Sequence, residues 1–203
     1  AMYCNETSKI KIFGCDFFDN SIEFFGRGFR MSSRLQGGCI SSEYSDVHIN
    51  ACKFTNNSLY TNSAKDSSSG YLNGGSIDLH YCDTNINNSI FFNNSCLVDP
   101  SSRAGCNGGA INSVSNKNNV LLACNTSFIN NFISVYNNYD VSVGGALCLA
   151  GKDKFIDCSF INNSVLSHIY NKSCKGGAIW SNSLTVQWCI FDDNTAFNGS
   201  EIY

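Results

Sequence analysis

The sequence is poor in the residues and patterns that mark several large protein classes. It contains one proline, Pro100, and only 14% of its 203 residues are charged, with a net charge of −3. It has no cluster of lysine and arginine, which argues against nucleic-acid binding. No apolar run approaches the roughly 18 residues of a membrane-spanning helix. No C-x-x-C spacing occurs, and His48, His80 and His168 occupy unrelated positions, so neither a metal site nor a cofactor is expected.

The chain does contain enough apolar residues for a packed core. Hydrophobic residues make up 43% of it and aromatic residues 13%, which a disordered polar tract would lack. Its 12 cysteines are typical of an oxidising compartment. Its N-x-S/T sequons are candidate glycosylation sites, at Asn5, Asn56, Asn87, Asn93, Asn125, Asn162, Asn171 and Asn198. These features predict a secreted or cell-surface glycoprotein.

A short motif recurs along the chain. Its copies are CDFFDN, CKFTNN, SIFFNN, TSFINN, CSFINN and CIFDDN. The central Phe recurs at steps of 37, 37, 37, 32 and 31 residues, at Phe17, Phe54, Phe91, Phe128, Phe160 and Phe191. Each copy ends on an asparagine, at Asn20, Asn57, Asn94, Asn131, Asn163 and Asn194. This period is typical of repeat proteins, whose units bury their apolar faces against each other.

Two further patterns complete the repeat unit. Upstream of the motif, apolar and polar residues alternate, as at Ile10 and Ile12, which is the period of a β-strand. Downstream, a glycine pair precedes a small and an aliphatic residue, at Gly37-Gly38, Gly74-Gly75, Gly108-Gly109, Gly144-Gly145 and Gly176-Gly177. The last residues, from Gly199, form a degenerate further copy.

Short strands repeated with Asn and Gly corners predict an all-β fold, a single-stranded parallel β-helix of the pectin-lyase-like type. We expect about six rungs with long lateral loops. Residues 1–9 are expected to be an N-terminal scar or cap, and residues 10–203 the repeat domain, a fragment of a longer array. The Phe rings should stack in the core, and the Asn amides should form a ladder. The glycine pairs should allow a positive φ and close backbone approach.

The combination of G-G-A-[ILV] with F-x-x-N resembles the repeats of the chlamydial polymorphic outer membrane proteins. The same repeats recur in large surface proteins of some protists. The resemblance extends from Ile10 to Tyr203. It implies a right-handed β-helix exposed on the surface of a parasite or pathogen, with an adhesin role.

The cysteines fall into two groups. Cys15, Cys52, Cys158 and Cys189 fill the slot two residues before Phe, which Ser89 and Thr126 fill in the other copies. Buried free thiols suit such a small inward slot, although neighbouring rungs also lie within disulfide distance. The other eight are expected in or beside loops. Cys96 with Cys106 is the first disulfide candidate, and Cys148 with Cys174 the second.

The segments between the motif Asn and the next glycine pair are expected to be loops along one side of the rod, where function is usually carried. The richest, Ser21–Gln36, combines aromatic residues with arginine, the composition of interface hot spots. Alternatively, its aromatic residues fold beneath the loop or cover the end of the rod. The binding candidates are Phe24, Phe25, Arg27, Phe29, Arg30 and Arg34, with Tyr136 and Tyr139 in a second segment.

Parallel β-helices also carry polysaccharide lyases and hydrolases, which need clustered carboxylates on neighbouring rungs. The candidates Asp16 and Asp19 belong to the first motif copy, and Asp192 and Asp193 to the last, so the two pairs cannot meet. We therefore expect no catalytic residues. We expect an adhesin or protein-interaction module whose partner is a host-cell receptor or another surface protein or glycan. A structural or carbohydrate-binding coat protein is the alternative, and a polysaccharide lyase or hydrolase the third.

Overall fold

The structure is a computed structural model, and it describes residues 2–6, 9–26, 34–63, 70–102, 104–115, 119–136, 141–168 and 174–203. Over these residues the protein is all-β, and its strands pair in parallel and stack as a β-solenoid. Within the same residues there is no helix of the length and apolarity needed to cross a membrane. The predicted all-β parallel solenoid is therefore confirmed.

Two of the sheets carry the predicted core strands. Sheet 1 holds the alternating apolar strands and consists of Lys9–Phe13, Asp46–Asn50, Asp83–Asn87, Leu121–Cys124, Asp153–Ile156 and Leu184–Gln187. Sheet 2 holds the motif phenylalanines and consists of Asp16–Phe18, Lys53–Thr55, Ile90–Phe92, Ser127–Ile129, Ser159–Ile161 and Ile190–Asp192.

Three more sheets complete each repeat. Sheet 3 follows the motif asparagine and consists of Ser21–Gly26, Ser58–Ser63, Ser95–Val98, Phe132–Val135 and Ser164–Ser167. Sheet 4 precedes the glycine pair and consists of Arg34–Gln36, Gly70–Asn73, Ala104–Asn107, Ser142–Val143 and Cys174–Lys175. Sheet 5 follows the glycine pair and consists of Met2–Asn5, Ile40–Glu43, Ile77–His80, Ile111–Val114, Leu147–Leu149 and Ile179–Ser181.

The segments predicted to be lateral loops contain sheets 3 and 4, so that part of the prediction is wrong. The reason is a second apolar core, which these two sheets bury between them. It contains Leu59, Leu72, Cys96, Val98, Ala104, Cys106, Ile133, Val135, Val165 and Cys174. The main core lies among sheets 1, 2 and 5 and includes Ile49, Phe54, Leu79 and Ile111. The cross-section therefore has two lobes.

The motif phenylalanines stack in the main core as predicted. Ring centroids of successive members lie 4.7 to 5.0 Å apart, with interplanar angles between 2° and 11°. The four central rings are fully buried, whereas Phe17 and Phe191, at the two ends of the stack, are only partly buried. Offset stacking of this kind adds to the stability that burial of the rings provides.

The motif asparagines form the predicted amide ladder, and the ladder is buried. The Asn94 side chain donates from Nδ2 to Asn131 Oδ1 at 2.9 Å and to the Phe54 carbonyl at 2.9 Å. Its Oδ1 accepts from the Asn57 backbone at 3.1 Å and from Asn57 Nδ2 at 2.9 Å. At the last repeat, Asn194 Nδ2 donates to Glu201 Oε2 at 2.7 Å, so a carboxylate takes the place of the next amide.

The left-handed backbone at this corner belongs to the residue before each motif asparagine. An asparagine tolerates that conformation, but the motif asparagine does not adopt it. Instead, its neighbour adopts a positive φ in every copy, at Asp19, Asn56, Asn93, Asn130, Asn162 and Asp193. The motif asparagine is thereby free to turn its amide inward, where the ladder forms.

The glycine pairs play the two predicted roles, one for each glycine. Gly108 has a φ of 70°, a conformation that other residues rarely adopt. At Gly109, a Cβ atom would collide with the carbonyl oxygen of Gly145 in the next repeat. The pair therefore makes a sharp corner between sheets 4 and 5 where neighbouring backbones approach closely.

Phe91→Ala should lower the free energy of unfolding by about 3–5 kcal/mol, because it removes a fully buried ring from the middle of the stack. The measurement is chemical denaturation followed by circular dichroism. Phe92→Ala is the matched control, since this ring is 38% exposed on the other face of the same strand. A loss below about 1 kcal/mol for Phe91→Ala would contradict its place in the core.

Asn94→Ala should destabilise the protein by more than the exposed variant Asn93→Ala. Removing the Asn94 side-chain amide leaves buried groups of Asn57, Phe54 and Asn131 without hydrogen bonds, at about 1–3 kcal/mol for each. Asn93 donates only to the exposed Asn56 side chain, so its loss should cost less. Equal unfolding free energies for the two variants in urea titrations would show that the buried ladder does not stabilise the fold.

Candidate functional site

A groove runs along the solenoid at the glycine corner between sheets 4 and 5. Alternate residues of sheet 4 face the second core, as Leu72 and Cys106 do, and the residues between them face the groove. In sheet 5, Ile77 and Leu79 point into the main core, so Asp78 and His80 lie on the outer face. Because the glycine pair folds the chain sharply, these two polar faces meet in a concave corner.

The groove has a volume of about 260 Å³ and extends over neighbouring repeats. Its lining is mostly polar and aromatic, and Val114 is the one aliphatic residue among the described lining residues. The full lining is Arg34, Tyr71, Asn73, His80, Tyr81, Asn107 and Val114. Parallel register sets Arg34 beside Tyr71, and Tyr71 beside Gly105. Residues from separate parts of the chain therefore converge on one site.

A buried ion pair forms one wall of the groove. Asp78 is completely buried, and its Oδ2 atom lies 3.0 Å from Nε2 of His80. Asn112 Nδ2 donates to Asp78 Oδ1, and the Gln36 amide lies 3.3 Å from the same His80 nitrogen. Among the described residues this is the only ion pair. The carboxylate is therefore held between His80 and Asn112.

The hydrogen bond to Asp78 raises the pKa of His80 above its ordinary value, although burial alone would lower it. The negative charges of Asp78 and Glu43 act in the same direction, and the nearby charge of Arg34 opposes them. His80 therefore holds its proton to higher pH than an isolated histidine would. Arg34, by contrast, is exposed and has no carboxylate within ion-pair distance among the described residues.

Two tyrosines beside the groove adopt a strained backbone. Tyr44 has a φ of 49° and Tyr81 a φ of 56°, values that are uncommon for bulky residues. Their rings stack with centroids 5.1 Å apart, and Tyr81 also meets the edge of His80. Asn or Gly would adopt this corner conformation at lower cost, and strained backbone is concentrated at functional sites. The same corner also has a positive φ at Glu6 in the first repeat, so the conformation belongs to the corner, and the tyrosines place two stacked rings at this end of the groove.

Tyr71 lies over a glycine that makes room for its ring. A Cβ atom on Gly105 would come within 2.7 Å of the Val141 carbonyl oxygen in the next repeat, 2.8 Å of Cε1 of Tyr71 and 3.0 Å of Cδ1 of Tyr71. Gly105 is a strand residue without a positive φ. Glycine is therefore needed here because the neighbouring atoms leave no room for a side chain. The ring can therefore lie along the wall of the groove.

Of the binding candidates in Ser21–Gln36 that the structure describes, Arg34 is the one that lines the groove. Phe24 packs against the second core, as the alternative interpretation of these aromatic residues expected. Phe25 is 63% exposed, and its ring lies 5.6 Å from that of Tyr60. Arg27, Phe29 and Arg30 lie outside the described residues.

The second predicted patch lies apart from the groove. The Tyr136 ring stacks on His168 with centroids 3.9 Å apart. His168 Nε2 lies 3.0 Å from Ser134 Oγ, and both residues are in or beside sheet 3. Tyr139 lies outside the described residues.

A wider depression of about 660 Å³ lies on the outer face of sheet 1. Lys9, Lys11 and His48 line it together with Phe13 and several asparagines. Lys9 and Lys11 are exposed, and Lys9 pairs in register with Asp46. None of the described residues that line this depression has a buried polar side chain, so we regard it as ordinary solvated surface.

The cysteines are free thiols, and all 12 are in the described residues. The predicted bridges Cys96–Cys106 and Cys148–Cys174 are therefore not formed. Six of the eight cysteines expected near loops are buried instead, at Cys39, Cys82, Cys96, Cys106, Cys148 and Cys174. Cys96 and Cys106 do meet, as neighbours in the second core, where burial raises the pKa of Cys106. Such thiols act as small hydrophobic residues and are poorly reactive.

Four sequons lie at exposed corners of the solenoid. Asn56, Asn93 and Asn162 occupy the left-handed position after sheet 2, and Asn125 the one after sheet 1. Each donates from Nδ2 to a side chain of the preceding repeat. Asn5 is exposed, Asn87 and Asn198 are partly buried, and Asn171 lies outside the described residues. A glycosylated asparagine keeps one amide hydrogen, so these side chains can carry a glycan and still donate a hydrogen bond to the preceding repeat.

The carboxylates considered for catalysis lie at opposite ends of sheet 2. Asp16 is in the first strand of that sheet, and Asp192 is in the last. Asp19 instead accepts a hydrogen bond from Asn56 Nδ2 at 3.1 Å. Within the described residues, no group of three His, Cys, Asp or Glu side chains is arranged to hold a metal ion.

Sequence reasoning missed Asp78, His80, Tyr71 and Asn107. The signal available was positional, because Asp78 follows the buried aliphatic residue of its glycine motif and must therefore point outward. However, the residue that follows the aliphatic residue differs among the five glycine motifs, so a search for repeated residues does not detect it. These residues are Ser41, Asp78, Asn112, Cys148 and Trp180.

Comparison with known proteins gives no match: no family model, no curated protein and no solved structure is significantly similar to this chain.

Protonation of His80 should stabilise the fold at mildly acidic pH. Its folded pKa is raised above the ordinary value of about 6.5. The stabilisation is therefore complete below about pH 6.5 and is lost as the pH rises through the folded pKa. The test is urea denaturation of the wild type and of the double variant Asp78→Asn/His80→Gln, which keeps a neutral polar pair. The wild type's advantage should shrink as the pH rises above about 6.5 and through the raised pKa of His80, and an advantage independent of pH would contradict the coupling.

Proposed function

We propose that the protein is an extracellular adhesive module, in which a β-solenoid scaffold presents the groove to a host-cell receptor or another surface protein or glycan. The groove is the observation that carries the proposal. At the corner after sheet 2, asparagine side chains of successive repeats bond to one another. In the groove, polar side chains from several repeats meet at a concave surface.

The composition of the groove supports binding. Tyrosine and arginine dominate interface hot spots because they combine a large contact area with directional hydrogen bonds. Arg34 and Tyr71 lie side by side on one face of sheet 4. The strained pair Tyr44 and Tyr81 extends the aromatic surface along the axis.

A cell-surface location is part of the proposal. It is supported by the exposed sequons at the corners of the solenoid, of which Asn56, Asn93, Asn125 and Asn162 are examples. The proposal also includes a right-handed solenoid of about six rungs. Handedness rests on the resemblance to the chlamydial-type repeats, and the six strands in each of sheets 1, 2 and 5 support the rung number.

A carbohydrate-binding coat protein is the second candidate, and the polar lining of the groove favours it. Asn73, Asn107 and the two tyrosine hydroxyl groups offer hydrogen bonds of the kind that sugars need. The adhesive and carbohydrate-binding roles overlap where the partner is a surface glycan.

Binding is better supported than catalysis at this site. Asp78 is the carboxylate nearest to His80, and it is completely buried, with His80 on one oxygen and Asn112 on the other. A general acid or base must reach the proton that it transfers. The position of Asp78 suits a structural anchor for His80.

Replacing the groove side chains should abolish binding without unfolding the protein. We expect Arg34→Ala/Tyr71→Ala to lose attachment to a panel of cultured cells and to arrays of surface proteins and glycans. The melting temperature should change little, because Arg34 is exposed and Tyr71 is only half-buried. Flow cytometry and array fluorescence give the binding, and differential scanning calorimetry gives the stability.

The control is Lys53→Ala, which removes an exposed cation from sheet 2, on another side of the solenoid. A second comparison replaces residues 27–33 with a Gly-Ser linker of equal length and leaves the flanking strands intact. If the linker variant alone lost binding, the groove would not be the site. If the wild type bound none of the cells or arrays, the adhesive function would be wrong.

A further inference from the structure

The groove contains a cation that has no partner among the described residues. The guanidinium of Arg34 presents five N–H donors in a planar fork, which matches the two oxygens of a carboxylate. Among the described residues it makes no ion pair or hydrogen bond, although it lines the groove and acts electrostatically on His80. An anionic group in the groove would therefore find a free bidentate donor.

His80 adds a second donor at the same place. Both of its polar contacts, to Asp78 and to Gln36, involve Nε2. When His80 is protonated, Nδ1 also carries a hydrogen, and no described residue accepts it. The hydrogen bond to Asp78 keeps the ring charged to higher pH. The charged groups that act on this ring are Asp78, Glu43 and Arg34.

The charges around the groove limit how negative a ligand it accepts. Asp78 offsets the charge of protonated His80, and Glu43 lies close enough to act on His80 as well. Arg34 is therefore left to balance the ligand. A ligand with one negative charge therefore suits the site. A densely sulfated chain would be repelled by Glu43, and the groove has too few cations to balance its charge.

The rest of the lining favours a hydroxylated ligand over a peptide. Cores of protein interfaces are apolar, but Val114 is the only aliphatic residue among the described lining residues. Asn107 Nδ2 donates to Asn73 Oδ1 at 3.0 Å, which orients both amides and leaves Asn107 Oδ1 to accept from a hydroxyl group. The volume of about 260 Å³ is below the roughly 300–1,000 Å³ of pockets for drug-sized ligands, so a single ring is the fitting size.

We infer that the groove binds a sugar bearing one carboxylate, with the carboxylate held by Arg34 and His80 and the ring lying against Tyr71. Asn73 and Asn107 receive the hydroxyl groups of the sugar. Gly105 makes this pose possible, because a side chain there would displace the Tyr71 ring. The inference rests on the proposed function and names the ligand class for the same groove.

The test measures affinity for small probes of defined charge. Methyl β-glucuronide and the methyl glycoside of N-acetylneuraminic acid carry the carboxylate, and methyl β-glucoside is the neutral counterpart. Glucose 6-sulfate and an acetylated, amidated glutamate represent a sulfated sugar and an acidic peptide. By isothermal titration calorimetry at pH 6, at least one carboxylated sugar should bind about 10-fold or more tightly than the glucoside, because charge-assisted hydrogen bonds are the stronger kind. It should also bind more tightly than the sulfated sugar and the glutamate.

Variants assign the preference to the groove. Arg34→Ala should reduce the affinity for the carboxylated sugar to that for the glucoside, and Arg34→Lys should retain only part of the preference, because it lacks the planar fork. Lys53→Ala should not change the affinity for either the carboxylated sugar or the glucoside. Asp78→Asn/His80→Gln should reduce the preference while avoiding an unpaired buried carboxylate.

The inference is overturned if both carboxylated sugars bind no better than the glucoside, or if their preference survives Arg34→Ala. It is also overturned if the sulfated sugar or the glutamate binds best. These results are separate from the test of adhesion. If the groove variants lose cell attachment but carboxylated sugars do not bind to the wild type, the adhesive function is supported and the sugar ligand is wrong. If instead carboxylated sugars bind to the groove but the groove variants still attach to cells, the sugar site is supported and its role in adhesion is wrong.

Discussion

The buried asparagine ladder is the interaction on which the rest of the structure depends. Each internal amide bonds to groups in the repeats on both sides, as Asn94 does with Phe54 and Asn131. A slip of one residue would leave these groups buried and unpaired, at a cost far above that of an ordinary surface change. The register of sheet 2 is fixed in this way, and the phenylalanine stack in the main core follows from it.

A fixed register leaves the outer surface free to vary. Between one ladder asparagine and the next, the chain length varies from 31 to 37 residues, and the difference is taken up outside the ladder. Outward positions on sheets 4 and 5 carry no such constraint, so Arg34, Tyr71 and Asp78 differ from their counterparts in other repeats. The groove is thus a local arrangement of unrepeated side chains on a repeated backbone.

The elements that sequence analysis predicted correctly are those that recur in every repeat. Phe91, Asn94 and Gly108 keep the same neighbours as their counterparts, and the letters therefore repeat. Sheets 3 and 4 were missed because their apolar residues vary in spacing and include cysteines, as with Cys96 and Cys106. The pair Asp78 and His80 was missed because it exists in one repeat only. Arg34 was predicted as a binding residue because its segment combines aromatic residues with arginine. In the structure it lines the same groove as His80.

The most direct test of the binding site is a crystal structure of the protein grown with methyl β-glucuronide at pH 6. The account predicts electron density for the sugar in the groove, with its carboxylate within hydrogen-bond distance of both the Arg34 guanidinium and the His80 ring. Sugar density elsewhere on the solenoid, or in the groove with the carboxylate turned to solvent, would contradict it.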